Sequence, residues 1–474
     1  MALTKYVSVT NGNDGSGDGS AGSPYFSIEK AKDEIDGTSD VGPHYIILSE
    51  SSAARTIYSA NTGMPANSRQ DMWIGANIGL IVSGAHGQDI VIDGSGAAVS
   101  AFYIYGSGSG IHNLTIQNYG YQATANYGVI KADMRPSDIR GVTITEVSQS
   151  GITYFGDRYN LGGVTIIDRC RIEVPAASQQ SGIAVNSNYD IGRVLVNNCL
   201  LVISGSSPVS SGATPSKYIK LIGTGQDSQS TASFNTVVID VERSSYTDAN
   251  TGIHADLAVN NIISMSMDYD NNRLNFIAAD TATNNLYAGF NTTNVSTVGA
   301  RRLSNGDSAS FHATEIGYLR GAPLTLFTNP DPLIKSIFAD WTLAADVSPA
   351  HNVGVALNSA DYFGLVGVDL SGNLRSDPPD IGCFEFPVPV VPSPWKDYGS
   401  YSDPRYLNTG DILAGNVASS DYKLRAPQSP GVDQAPFVLN SYGILFRGRT
   451  KPYAVTTSRG GDPDDSFSGV IGEE

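Results

Sequence analysis

Short apolar runs alternate with polar turns along this chain, and the same arrangement recurs. Three successive stretches open on glycine and a β-branched residue and then contain a second β-rich run. They are GVIKADMRPSDIRGVTITEV from Gly128, GITYFGDRYNLGGVTIIDRCRIEV from Gly151 and GIAVNSNYDIGRVLVNNCLLVIS from Gly182. Because their first glycines are 23 and 31 residues apart, the pattern indicates a repeat whose loops vary in length.

Further copies extend the repeat in both directions. GIHNLTI at Gly110 and GIHADLAVNNIISMS at Gly252 share the opening, and VNNC, VNNI and TNNL recur at Val196, Val259 and Thr283. Repeats of about 20 to 30 residues built from short strands are typical of a solenoid. The fixed leucine frame of leucine-rich repeats is absent, and a β-sandwich with coincidental spacing is the alternative. We predict a right-handed parallel β-helix, an all-β fold with Val, Ile and Leu stacked inside.

The stretch SPYFSIEKAKDEID predicts an amphipathic helix near the N-terminus. Ser23 or a neighbour is the expected N-cap, and Pro24 the expected first helical residue. Its apolar face is predicted to cover the first open rung, since an uncovered solenoid end exposes unpaired strand edges. That face contains Phe26, Ile28, Ala31 and Ile35.

A different repeat occupies the last third of the chain. DWTLAADVSP at Asp340 and DYKLRAPQSP at Asp421 share their pattern, and the proline-rich PVPVVPSPWKDYG lies between them. We therefore predict four segments: an N-terminal cap at 1–45, the solenoid at 46–300, last rungs with a closing motif at 301–387, and a proline-linked segment with a degenerate second closing motif at 388–474.

The composition of the chain excludes some classes of function. The net charge is −17 and the pI is about 4.7, which excludes a general nucleic-acid binder and weighs against a polyanionic polysaccharide substrate. Apolar runs long enough to cross a membrane are absent from the sequence. Three cysteines have no metal-type spacing; Cys170 and Cys199 take similar places in successive repeats, so we expect buried, stacked thiols, with a disulfide as the alternative.

The richest polar cluster falls in the aligned segments KADMRPSD and GDRYN. Asp133 and Arg135 in one repeat, and Asp157 and Arg158 in the next, are candidate catalytic residues, because lyases use a cationic base and hydrolases use paired carboxylates. Lys131 belongs to the same group, and Asp190 and Arg193 follow in the third repeat. The alternative is a ladder of Asp and Arg side chains that satisfies turns and neutralises itself.

Other candidates concern binding. The chain has 24 tyrosines against 3 tryptophans, which suits a surface that touches sugars by stacking and hydroxyl hydrogen bonds. Tyr154, Tyr159 and Tyr189 are the candidate glycan contacts. Asp14 and Asp18 in the glycine-rich loop are weak Ca²⁺ candidates, with a solvated turn as the alternative. No other cofactor is expected.

The chain resembles a known group of proteins at both ends of its first 387 residues. YVSVTNGNDGSGDGS with FSIEKA, and later DPLI, DWTL, SP and PDIGCFEF, resemble parallel β-helix repeat proteins with the ending called choice-of-anchor Q. The resemblance covers most of residues 5 to 387. It implies the fold more than the function, because this fold hosts lyases, hydrolases, adhesins and phage tailspikes.

Three functions remain open. The first is a bacteriophage virion-surface protein (tailspike, tail fibre or capsid decoration) that engages host glycans or neighbouring virion proteins without turnover. We expect it to fold in the host cytoplasm because the N-terminus lacks a signal-peptide pattern, and to form a homotrimer. Attachment is expected through 388–474 or along the side of the solenoid. The second is a secreted polysaccharide lyase or glycoside hydrolase, and the third is a bacterial adhesin.

Overall fold

The structure is a computed structural model of the whole chain, which divides into one unit at Met1–Phe386 and another at Pro387–Glu474. The residues that it describes are 2–38, 42–50, 55–60, 63–64, 72–74, 79–120, 128–133, 135–156, 163–175, 181–186, 192–206, 217–222, 229–242, 251–267, 274–290, 298–301, 317–320, 337–343, 348, 350–386, 437–439 and 445–447.

The first unit is a parallel β-helix whose rungs each place strands on three faces, which confirms the predicted fold. Face A contains β2 (His44–Leu48), β6 (Leu80–Gly84), β9 (Ser109–His112), β12 (Ser137–Arg140), β15 (Val164–Asp168), β18 (Arg193–Asn197) and β21 (Gln229–Ser233), with β1 (Thr4–Val7) paired to β2. Face B contains β3 (Thr56–Ala60), β4 (Gly63–Met64), β7 (Ile90–Asp93), β10 (Thr115–Gln117), β13 (Thr143–Thr145), β16 (Arg171–Pro175), β19 (Leu200–Ser206), β22 (Thr236–Glu242), β24 (Ile262–Met267), β26 (Leu286–Phe290) and β28 (Gly317–Arg320).

Face C begins each new rung. It contains β5 (Met72–Ile74), β8 (Phe102–Ile104), β11 (Gly128–Ala132), β14 (Ser150–Tyr154), β17 (Ile183–Asn186), β20 (Lys217–Ile222) and β27 (Val298–Arg301), while β23 (Thr251–Val259) and β25 (Leu274–Thr283) run from face C into face A. All these strands pair in parallel.

Strand register builds the core as columns of identical side chains. On face C, Ile130 pairs with Ile152, which pairs with Ile183, and the column continues through Ile219 and Ile253. All five are fully buried. Because side chains of a strand alternate between its faces, the residues beside each isoleucine point outward and are available for a site.

The register corrects three sequence alignments. Gly128 pairs with Ser150 and not with Gly151, so the first repeat was aligned one residue out of step. GIHNLTI belongs to face A, since Gly110 pairs with Asp138, whereas the glycine-isoleucine openings at Gly151 and Gly182 lie on face C. In VNNC and VNNI the alignment is wrong by one residue, because Val196 and Ala258 both pair with Ala232. A slip of one residue exchanges inward and outward side chains, so it changes which asparagine is buried.

A left-handed residue turns the chain from face A to face B in successive rungs. The position is taken by Asn113, Arg169, Asn198, Phe234, Asn260 and Asn284, with φ between 51° and 56°, and by Gly141 at 62°. Asparagine tolerates this conformation better than most residues, and glycine adopts it without steric cost. The frequent asparagines of the repeat therefore mark this corner.

The next residue points inward and forms a polar ladder in the later rungs. Asn235 Nδ2 donates to Asn261 Oδ1 at 3.0 Å, and Asn261 Nδ2 donates to Asn285 Oδ1 at 2.9 Å. Cys170 and Cys199 take the same position in earlier rungs and are buried free thiols, as predicted. The amide side chains bond buried main-chain groups of neighbouring rungs, and the two thiols also contact main-chain carbonyls there.

The N-terminal helix α1 (Ile28–Asp36) begins later than predicted. Ser27, not Ser23, is the N-cap, and its hydroxyl accepts a hydrogen bond from the Lys30 amide. Asp14 fixes this start, because its carboxylate accepts hydrogen bonds from the Ser27 amide and hydroxyl. Ile28, Ala31 and Ile35 are buried in the common core, while Phe26 is half-buried. The capping role stays a prediction.

The segment at 337–386, here the closing segment, packs on the outside of the later rungs. In the later rungs, Leu200, Val238 and Ile262 take outward positions of face B and are buried against it, whereas Thr115 and Thr143 take such positions in two earlier rungs. Its own contribution includes Trp341, Leu343, Leu370, Ile381 and Phe384. Strands that are apolar on both sides are covered on both sides.

A buried ionic network fixes the closing segment. Arg375, with 3% of its side chain exposed, donates to Glu385 Oε2 at 3.1 Å and to Asn198 Oδ1 at 2.9 Å. Its guanidinium also lies 4.0 Å from the ring centroid of Phe234. The side chains of the corner residues Asn198 and Phe234 thus hold the closing segment, through Arg375, against the outer surface of the β-helix.

Of the second unit, the described part is an antiparallel pair, β29 (Phe437–Leu439) with β30 (Leu445–Arg447). The linker and the degenerate closing motif lie outside the described residues, so attachment through 388–474 stays a prediction. No helix among the described residues of the chain is long and apolar enough to span a membrane.

Candidate functional site

Two outward columns of face C bring aromatic and charged side chains together. Tyr103 pairs with Lys131 in neighbouring strands β8 and β11. One step along, Tyr105, Asp133 and Phe155 follow the ends of β8, β11 and β14, each bonded by its amide to the carbonyl of the rung before. Successive rungs therefore stack these side chains at the spacing of adjacent strands, about 4.8 Å.

Contacts among these side chains are direct. Lys131 Nζ lies 4.0 Å from the ring centroid of Tyr103 and 5.4 Å from that of Phe155. Arg135 lies 5.8 Å over the ring of Tyr105, and the rings of Tyr103 and Tyr105 meet edge to face at 6.1 Å. We call Tyr103, Tyr105, Lys131, Asp133, Arg135 and Phe155 the face C cluster.

Burial separates the supporting members of the cluster from those that a ligand can reach. Tyr103 and Asp133 are 6% and 8% exposed, and the Tyr103 hydroxyl donates a hydrogen bond to the Asp133 carboxylate. Tyr105, Lys131, Arg135 and Phe155 are half-buried. The buried pair orients the platform, and the half-buried rings and cations present it to solvent.

The chemistry of the cluster suits a hydroxylated ligand. Aromatic faces pack against the apolar side of a sugar ring, while ammonium and guanidinium groups donate hydrogen bonds to its hydroxyls. The cluster combines two cations, Lys131 and Arg135, with one buried carboxylate, Asp133. This arrangement favours binding.

The structure describes only some of the predicted site residues. Asp133 and Arg135 lie in the face C cluster together with Lys131. Asp157, Arg158, Tyr159, Tyr189 and Asp190 lie outside the described residues, so their roles stay predictions.

The prediction that Tyr154 contacts a glycan is wrong. Tyr154 points into the core with 1% exposure, since it lies at an inward position of β14 next to the outward Phe155. It cannot contact a ligand on the surface. Arg193 is on face A, where it donates to the carbonyl of Asp361 and stacks 5.6 Å over Phe363, so it does not extend the face C cluster.

The two candidate Ca²⁺ ligands are engaged within their loop. Asp14 holds the start of α1, and hydrogen bonds from the hydroxyl and the amide of Ser20 lower the pKa of Asp18. The described residues contain no group of three or more His, Cys, Asp or Glu side chains placed to hold a metal ion.

Sequence reasoning missed the aromatic members Tyr103, Tyr105 and Phe155. The signal was present in AFYIYG, where Phe102 and Ile104 are buried in the core and the two tyrosines alternate with them. Alternation of period two separates the faces of a strand, so the outward tyrosines were identifiable once the strand was placed.

A second charged group lies on face A. The Asp138 carboxylate accepts from Arg140 and lies 3.6 Å from His112 Nε2, while the buried Asp168 accepts from Arg169 Nε at 2.8 Å. Burial alone would raise the pKa of Asp138, but His112 and Arg140 hold it below its usual value. Burial raises the pKa of Asp168 in spite of Arg169.

Comparisons with known proteins add little. No family model matches the chain, and no curated protein matches it. Among solved structures, the chain is similar to the pectin methylesterase from Aspergillus niger in deglycosylated form, with a TM-score of 0.34 and 14% identity over 66% of this chain and 89% of that one. The penultimately deglycosylated form gives a TM-score of 0.32 and 15% identity over the same shares. The activity in those names belongs to the Aspergillus enzyme.

Proposed function

We propose that this parallel β-helix binds a polysaccharide along face C, with the face C cluster as its contact surface. The observation that carries the proposal is the stacking of Tyr105 and Phe155 beside Lys131 and Arg135 on successive rungs. A row of rings and cations along a solenoid matches an extended chain of repeating sugars, because both repeat along one axis.

Binding to a panel of bacterial and plant polysaccharides, measured by isothermal titration, tests the proposal. Tyr105→Ala removes one stacking surface and one ring under Arg135, which is worth about 1.4 kcal/mol, or about tenfold in affinity. Lys131→Ala should weaken binding by a similar factor. Tyr45→Ala, a half-buried tyrosine on face A, is the matched control and should bind as the unmodified protein does.

The outcome that contradicts the proposal is equally concrete. Suppose that a polysaccharide of the panel binds the unmodified protein. If it also binds Tyr105→Ala, Lys131→Ala and Tyr45→Ala with the same affinity, face C is not the binding surface. Binding to none of the panel would remove the support for a glycan ligand altogether.

The setting that we propose for this binding is the surface of a bacteriophage virion, where a rigid solenoid would hold a glycan-contacting face toward the host, as a homotrimer. The support is the continuous core and the binding face, which suit such a role by analogy of fold. Mass spectrometry of purified particles tests it: the chain should be found in them at a constant number of copies.

Turnover of the polysaccharide is the second candidate. Asp138 and Asp168, whose pKa values are shifted in opposite directions on neighbouring strands, favour it, because such a pair separates a base from an acid. Asp168 is fully buried and bonded to Arg169 and Asn198, which favours binding without turnover. Incubation with a bound polysaccharide should release no reducing or unsaturated ends; release that Asp138→Asn abolishes would establish the enzyme instead.

A further inference from the structure

A cleft of about 210 Å³ opens where the closing segment meets the earlier rungs of the helix. Asn113, Thr143, Arg169 and Arg171 line it from the strands and corners, and Ser371 lines it from the closing segment. It lies on the corner between faces A and B, apart from the face C cluster. Two guanidinium groups in one concave polar site indicate an anionic ligand.

Both arginines are held in place by contacts that leave donors for a ligand. Arg171 lies 5.5 Å over the ring of Phe384 and donates from Nη1 to the Ile337 carbonyl at 3.5 Å. Arg169 donates from Nε to Asp168, and its Nη groups make no hydrogen bond to a described residue. With 35% of its side chain exposed, Arg169 presents those groups to the cleft.

The carboxylates near the cleft are engaged elsewhere. Asp168 is buried and accepts hydrogen bonds from Arg169 and Asn198. Asp369 is buried in the closing segment, where the amides of Ser371, Asn373 and Glu385 donate to it. Glu173, two residues from Arg171 on β16, accepts a hydrogen bond from the Ile337 amide. Because Asp168 pairs with Arg169, the positive charge of the cleft comes mainly from Arg171.

We propose that this cleft binds the acidic group, a carboxylate or a sulfate, of a charged sugar unit. The proposal rests on the polysaccharide binding proposed above and names the class: an acidic polysaccharide. A guanidinium edge matches the two oxygens of such a group, and the hydroxyls of Thr143 and Ser371 are placed to bond the sugar. Because a net charge of −17 repels a polyanion at long range, pairing within the cleft must supply the preference.

A negative charge introduced inside the cleft tests the proposal without removing a structural arginine. Thr143→Asp places a carboxylate among the guanidiniums, and Thr115→Asp places one at the paired position one rung earlier, outside the cleft lining. The probes are dextran, carboxymethyl-dextran, dextran sulfate and inorganic sulfate, measured at constant ionic strength. We expect both acidic polymers to bind at least tenfold more tightly than dextran, and Thr143→Asp to remove that advantage while Thr115→Asp keeps it.

Failure of this inference and failure of the proposed function give different results. Equal affinity for dextran and its acidic derivatives, weakened by Tyr105→Ala, would overturn the cleft and leave face C binding intact. An acidic preference that Thr143→Asp removes and Tyr105→Ala does not touch would support the cleft and count against face C. An acidic preference that survives in Thr143→Asp, or inorganic sulfate binding as tightly as the polymers, would overturn the assignment to an acidic polysaccharide.

Discussion

Replacing Arg375 by methionine should release the closing segment from the helix. The side chain is 3% exposed and donates to Glu385, to Asn198 and to the carbonyls of Asp380 and Gly382. Methionine keeps much of the volume but none of these donors, and it leaves the Glu385 carboxylate, 2% exposed, without its cation. Breaking a buried ion pair costs about 3–5 kcal/mol.

The lower end of that range applies here, because Glu385 keeps hydrogen bonds from the amides of Ser376 and Asp380. About 3 kcal/mol corresponds to roughly a hundredfold larger open population of the closing segment. Native-state hydrogen exchange measures it directly at the Leu370 and Ile381 amides, which bond to the Cys383 and Ala350 carbonyls. Their protection should fall by about two orders of magnitude.

Two variants control this experiment. Arg55→Met removes a half-exposed arginine whose ion pair with Asp89 spans 4.0 Å, and it should change protection by less than threefold, since exposed pairs contribute little. Glu385→Gln added to Arg375→Met removes the unpaired charge and should recover part of the loss. If Arg375→Met alone leaves the protection of Leu370 and Ile381 within threefold of the unmodified protein, the ionic network does not hold the segment.

Three further predictions concern buried groups of the β-helix and of the closing segment. Asn261→Ala leaves the Asn235 amide groups without their acceptor and should cost about 3 kcal/mol of unfolding free energy, seen as a lower Tm, whereas Asn11→Ala in an exposed loop should not. The pKa of Asp138 is lowered in the folded protein, so the stabilisation from its charge is present above the unfolded value of 3.8 and is lost as the pH falls below that value. The Tm difference between the unmodified protein and Asp138→Asn should therefore shrink toward zero at about pH 2. A difference that stays constant with pH would contradict this prediction. All three cysteines are fully buried, and burial also raises the pKa of Cys199 and that of Cys383, the latter to about 12. A thiol reagent at about pH 8 should therefore label none of them in the folded protein and all three in denaturant, and rapid labelling of the folded protein would show that the thiols are accessible.

The architecture could be predicted from the sequence because each rung of a solenoid repeats the same local pattern of residues. The glycine-isoleucine openings at Gly151, Gly182 and Gly252 mark face C, and asparagines mark the corner after face A. Register was harder, since Val196, Asn197 and Asn198 fit two alignments one residue apart and only strand pairing separates them. The helix start was misplaced because Asp14, 13 residues away in sequence, supplies the hydrogen bonds that fix Ser27 as N-cap.

The closing segment shows what local pattern leaves out. CLLVIS and NTVVIDV read as strands of a core, and nothing local tells which of Leu200 and Leu201 faces the inside and which faces another segment. The candidate site was predicted in part for a similar reason. Charge drew attention to Asp133 and Arg135. Two of the rings that complete the cluster come from AFYIYG, some 30 residues earlier, and the third is Phe155, some 20 residues later, so they meet only through strand stacking.

The most direct test of polysaccharide binding on face C is a crystal structure of the protein with an oligosaccharide cut from a polysaccharide that binds it. We predict density for successive sugar rings across β8, β11 and β14, with rings packed on Tyr105 and Phe155 and hydroxyls within hydrogen-bonding distance of Lys131 and Arg135. Sugar density on another face, with the face C cluster empty at a saturating ligand concentration, would contradict the account.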